Sequence, residues 1–178
     1  MLCCGALAIL LILFAISASV CAIIFPVFCK YSKNYEGLQT LLYFWEMVGK
    51  REKKTNVRDS ECYEYSLHFQ VALGSMATSA VIGLLALMFV IALIVLKDKM
   101  RHIKIVSLSL LFFAFLASGA CVALLVLGYF RGYCQDNKSL SEKYKSFRGR
   151  EFKFDIGLYL AATTCLLYLL GNVTHCCI

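Results

Sequence analysis

A chain of 178 residues that is 61% hydrophobic and only 16% charged stands far from the composition of soluble globular domains. Its net charge of +7 comes from basic residues scattered over three separate hydrophilic stretches. That scatter excludes a clustered nucleic-acid face and points to membrane lipid, through anionic headgroups, as the first partner.

Four uncharged stretches account for most of the chain, at about 2–29, 69–96, 105–130 and 156–175. Each meets or nearly meets the roughly 20 apolar residues that a helix needs to cross a bilayer core. A lone helix satisfies its own backbone in lipid, so all four are read as helical spans of a single membrane domain over 1–178. The expected fold class is all-α membrane: a four-transmembrane-helix bundle. The first stretch lacks a charged n-region and is much longer than a signal's 7–15 apolar residues, so it is read as an uncleaved anchor despite the small Ser17, Ala18 and Ser19.

The loops then fall at 30–68, 97–104 and 131–155. Loop two is short and carries Lys97, Lys99, Arg101 and Lys104, a density that suggests the cytoplasmic side. Loops one and three hold seven Lys or Arg each, so charge alone leaves the orientation open. Two features favour loops one and three outside. Asn137-Lys138-Ser139 is a glycosylation sequon, usable only outside or in a lumen. Cys62 and Cys134 lie in those loops, where an oxidising compartment allows pairing. The expected location is the plasma membrane, with both termini cytoplasmic.

Loop one has texture of its own. Residues 37–45 read Gly-Leu-Gln-Thr-Leu-Leu-Tyr-Phe-Trp and become strand-favouring toward their end. A polar turn follows near Lys50–Asn56, so a β-hairpin closing there is expected, with an amphipathic helix over 37–48 as the alternative. Leu140, Tyr144, Phe147, Phe152 and Phe154 lie among the cations of loop three, which either adds a strand or rests at the headgroups.

The ten cysteines contain no paired CxxC pattern, so no metal site is expected. Cys29, Cys62 and Cys134 are the candidates for a disulfide, the alternative being three free thiols. Cys3, Cys4, Cys176 and Cys177 would meet at one membrane face and are candidates for palmitoylation, or else are small buried residues. Small residues recur at packing intervals (Ala15 and Ser19, Ala18 and Ala22, Ser79 and Gly83, Ala114 and Ser118, Gly157 and Ala161), which argues for close helix contact and allows a homo-oligomer. The interiors of the first three spans hold no ionisable residue, the usual marker of an ion path. Asp155 reads as the cap of span four. No nucleotide loop, cofactor motif or paired carboxylate is visible, and no enzyme is expected.

The layout, together with Leu42, Phe44, Trp45 and Cys62, resembles the amastin surface proteins of trypanosomatid parasites, which are related in architecture to claudins. Pro26-Val27-Phe28 is similar to that family's way out of span one, and His68-Phe69-Gln70-Val71-Ala72 to its way into span two. The chain departs from the signature at Leu41, Tyr43 and Glu46, which stand for its first cysteine, its hydroxyl residue and its glycine. The resemblance implies a small, partly β, claudin-like extracellular cap in which Trp45 seats the sheet on the bundle, the alternative being an ordinary interfacial aromatic at headgroup depth. Cys62 can pair with Cys29 or with Cys134, and Cys29–Cys62 is favoured because it would replace the signature's missing internal pair. Its functional implication is a non-enzymatic surface glycoprotein, structural or adhesive, at the parasite surface or toward a host or surface protein. The alternative is a small oligomeric channel, a transporter or an accessory subunit, with Ser75, Thr78, Ser79, Ser107, Ser109, Thr163 and Thr164 lining a shared path.

Overall fold

The structure, a computed structural model, describes residues 2–31, 39–49, 54–95, 101–136 and 138–176. Helix α1 spans Leu2–Ile24. It stops there because Pro26 has no N–H to donate and disfavours helical backbone at Phe25 before it. The first span is therefore shorter than the 2–29 read from hydropathy. Phe28 and Cys29 belong instead to strand β1, Phe28–Tyr31. Three further strands follow: β2 Gln39–Leu42, β3 Glu46–Val48 and β4 Lys54–Asn56.

Helix α2 runs Tyr63–Val95, 33 residues, or about 50 Å at the usual rise. That exceeds the roughly 30 Å hydrocarbon core, so its first turns rise into the loops. Helix α3, Arg101–Phe130, also starts before its uncharged stretch. After a short helix α4, Lys138–Lys143, and strand β5, Lys153–Phe154, helix α5 closes the fold at Ile156–Cys176. Asp155 caps α5, its Oδ1 accepting the Ile156 N–H at 2.8 Å. Among the described residues, α1, α2, α3 and α5 are long and apolar enough to cross a membrane. The chain is a four-span membrane protein.

The helices close a ring: α1 touches α2 and α5, and α3 touches α2 and α5. The buried positions follow one rule. On α1 they are Gly5, Ala8, Ile12, Ala15, Ser19 and Ala22; on α3, Ser107, Leu111, Ala114, Ser118, Cys121, Leu125 and Gly128. On α5 they include Gly157, Ala161, Thr164, Tyr168, Gly171 and His175. Alternating steps of four and three average 3.5 residues, the repeat of a left-handed bundle. Most are small, so backbones approach closely, as membrane helices require when no hydrophobic force drives them together. Each of the small-residue pairs picked out by spacing has at least one member on this buried seam. Buried hydroxyls find carbonyls: Ser19 Oγ donates to Ala15 O at 2.8 Å, and Ser79 Oγ crosses to Ala114 O of α3 at 3.1 Å. Large side chains such as Phe14, Met88, Phe113 and Leu166 are exposed around the outside, where lipid takes the place of water.

The strands form one antiparallel sheet in the order β4-β3-β2-β1-β5. A hairpin does close there, as β3 and β4 with Glu46 opposite Asn56 and Val48 opposite Lys54, but its second strand falls within the stretch expected as the turn. The helical alternative over 37–48 is thereby ruled out for the described part of that stretch. Loop three does add a strand: β5 pairs on β1, placing Phe154 opposite Phe28.

Candidate functional site: the cap on the bundle

The sheet sits over the end of the bundle where α2 and α5 begin and α1 and α3 end. Two backbone bonds tie it down: the Asp155 N–H donates to Val27 O at 3.0 Å and the Gly157 N–H to Pro26 O at 2.8 Å. A Cβ at position 157 would lie 2.8 Å from both Phe25 O and Pro26 O, so only glycine lets span four start this close to the end of span one.

Beneath the sheet lies an aromatic core. Phe28 of β1 stacks on Phe147 of loop three with centroids 4.6 Å apart. Tyr65, on the raised first turns of α2, touches Phe69, Tyr133 and Tyr144 at 5.0, 5.3 and 5.2 Å. β1, the start of α2 and loop three thus each contribute rings, and these hold loop three against loop one. The Arg150 guanidinium lies 4.7 Å from the Phe147 centroid and 5.3 Å from that of Phe152, a double cation–π contact. Its backbone carbonyl accepts Lys30 Nζ at 2.6 Å. Burial pulls the Arg150 guanidinium below its ordinary value, while the phenols of Tyr65, Tyr133 and Tyr144 work against that shift. Burial pushes the Tyr133 phenol up, helped by Tyr65 and opposed by Arg150.

The residues singled out by sequence divide. Leu42 and Phe44 are fully buried in this core, and so is Cys62. Trp45 is 41% exposed, against 1% for Phe44, and its ring stacks only on Tyr43, with centroids 6.0 Å apart. Phe44 and Trp45 form the turn between β2 and β3, closed by the Tyr43 N–H on Glu46 O at 2.8 Å, and it is Phe44 rather than Trp45 that this turn sets into the core. The Cys29–Cys62 bond is not formed. Cys62 is bonded to Cys134 across 72 residues of sequence, and Cys29 is a free, buried thiol. The reason is position: Cys29 lies inside β1, in ladder with Leu41 and Lys153, while Cys62 and Cys134 stand where α2 begins and α3 has ended. Burial raises the Cys29 thiol above its ordinary value, and the charge of Asp155 adds to the shift. Glu64 Oε2 accepts the Cys134 N–H at 2.9 Å beside the disulfide, and Cys134 itself takes φ of 51°.

Asn137 lies outside the described residues, as do Cys177 and the Cys3 side chain. Of the other chain-end cysteines, Cys176 is exposed and Cys4 half-buried. The expected Ser/Thr path is divided: Ser79, Ser107 and Thr164 point into the bundle, whereas Thr78, Ser109 and Thr163 face outward. Among the described residues no three His, Cys, Asp or Glu side chains gather as metal ligands would. His175 is buried and paired with Ser107 Oγ between α5 and α3.

Sequence reasoning missed Tyr65 and Arg150. Tyr65 precedes the uncharged stretch, and Arg150 looks like any surface cation in a run of Arg, Gly and Glu. The one available signal was the aromatic spacing of loop three. No protein-family model matches the chain, and no curated protein matches it.

Proposed function

We propose that this four-span protein is an amastin-like surface protein of the plasma membrane, with a structural or adhesive role carried by a disulfide-tied cap outside the cell. The single observation that supports it is the Cys62–Cys134 bond between loops one and three, since such a bond persists in oxidising compartments and is rare in the cytosol. With that cap outside, four crossings fit both chain ends on the cytoplasmic side. The buried Leu42 and Phe44 fit the resemblance, while the pairing of Cys62 into loop three departs from the expected internal bond. Exposed aromatics at the cap, Tyr31, Trp45 and Tyr63, give it rings to offer to headgroups or to a protein surface.

Surface biotinylation with an impermeant amine reagent tests this reading. Intact cells should yield labelled protein through cap lysines such as Lys143 and Lys145, and Cys62→Ser should reduce the labelled fraction. Labelling only after permeabilisation would overturn it.

A further inference from the structure

A cavity of about 390 Å³ opens in the cap between the β3–β4 hairpin and loop three. Met47, Val57, Tyr65 and Tyr144 give it apolar and aromatic walls, and Asp59, Glu61, Lys143 and Arg150 add charges of both signs to its lining. Tyr65 is only 2% exposed, and its hydroxyl makes no well-formed hydrogen bond, its polar neighbour being the Arg150 guanidinium. Two guanidinium nitrogens of Arg150, Nε and Nη2, are also buried without an acceptor. These two N–H groups share one edge of the guanidinium plane, the edge whose spacing fits the two oxygens of a carboxylate.

Two carboxylates share the cavity with Arg150, but neither forms a salt bridge with it. Glu61 at the rim is held by Lys143 at 2.7 Å, and Asp59 accepts from Asn56 Nδ2 at 3.0 Å. Among the described residues no carboxylate pairs with Arg150. A buried guanidinium edge with no acceptor is costly, and an acceptor delivered through the cavity removes that cost.

We propose that the cap binds a small carboxylate carried on an apolar or aromatic body, with its two oxygens on the Nε–Nη2 edge of Arg150, a third bond from the Tyr65 hydroxyl, and its body between Tyr144, Met47 and Val57. Arg150 is itself only half-buried and lines the cavity, so a ligand there reaches its guanidinium. The inference holds whichever side of the membrane the cap faces.

The test is titration of the full chain, purified in neutral detergent, with benzoate, followed by calorimetry and by thermal unfolding. Benzoate should bind saturably and raise the melting temperature, and its neutral isostere benzamide should do neither. Arg150→Gln should weaken benzoate about a hundredfold and Tyr65→Phe about fivefold. Arg148→Gln removes a cation from the same loop outside the cavity and should leave the affinity within about twofold of wild type. Should Arg150→Gln fail to fold, Arg150→Lys keeps the charge but loses the fork, and should bind about tenfold more weakly than wild type. Absence of saturable benzoate binding, equal binding of benzamide, or unchanged affinity in the Tyr65 and Arg150 variants overturns the proposal.

Discussion

Tyr168 of α5 lies against the bare backbone of Gly83 on α2. A Cβ at position 83 would come within 2.8 Å of Tyr168 Cζ and closer still to its hydroxyl oxygen. The hydroxyl in turn donates to Ser79 O at 3.1 Å, one helical turn before the glycine. A large polar ring is thus fully buried at mid-bundle because one residue opposite has no side chain and a nearby carbonyl accepts its proton.

The first prediction follows from that contact. Gly83→Ala forces the ring off its place and should destabilise the bundle by about 1–3 kcal/mol, the usual cost of overpacking. Tyr168→Phe added to it removes the atom that clashes most, and should recover part of the loss. Thermal unfolding of the single and double variants in one detergent checks both. Equal stability of Gly83→Ala and wild type would contradict the packing.

The disulfide gives the second. On chain entropy alone, a bond spanning 72 residues stabilises by about 4 kcal/mol. The true value should be smaller, because α2 and α3 are already held side by side in the membrane and limit how far the ends can separate. Cys62→Ser, Cys134→Ser and the double variant should therefore lose the same amount of thermal stability. Cys29→Ser should retain the bond, seen as unchanged mobility on non-reducing gels. A larger loss in the double variant than in either single would show that the two thiols act separately.

Phe44 and Trp45 supply the third, as adjacent aromatics with opposite exposure. Phe44→Ala empties a fully buried site and should cost about 3–5 kcal/mol. Trp45→Ala takes away a half-exposed ring and should cost less than about 1 kcal/mol. The reverse order in a melting experiment would mean that Trp45, not Phe44, seats the sheet.

The fourth concerns the Cys29 thiol. Burial raises its pKa, so at any given pH less of it is thiolate than for an ordinary cysteine. Alkylation by iodoacetamide should be slow at pH 7 and accelerate only above the ordinary thiol range, whereas the exposed Cys176 should react first. Mass spectrometry of timed samples reads this out. Rapid modification of Cys29 at pH 7 in the folded protein would contradict its place in β1.

The spans were legible because hydrocarbon compatibility is written in composition, and their packing seams because small residues mark them at steps of three and four. Ends were less legible. Hydropathy carried span one through Phe28 and Cys29, since an apolar strand under a cap and an apolar helix in lipid look alike. Pro26 was the local signal that separates them. The β3–β4 hairpin could be read from its polar turn, but the partner of Cys62 could not. Pairing depends on which loop ends the bundle brings together, and that is a property of the ring of helices rather than of either loop. Arg150 shows the same limit more sharply. Phe147 and Phe152, which flank it, are close along the chain, but nothing there foretells that Tyr65, from a helix 85 positions earlier, will lie alongside.

The account turns on a cap that faces an oxidising space while both chain ends face the cytoplasm. Epitope tags at the amino terminus, at the carboxyl terminus and in loop three, stained in intact and in permeabilised cells, test it most directly. The loop tag should be stained in intact cells, and the two terminal tags only after permeabilisation. Terminal tags on opposite sides of the membrane, or a loop tag hidden until permeabilisation, would contradict it.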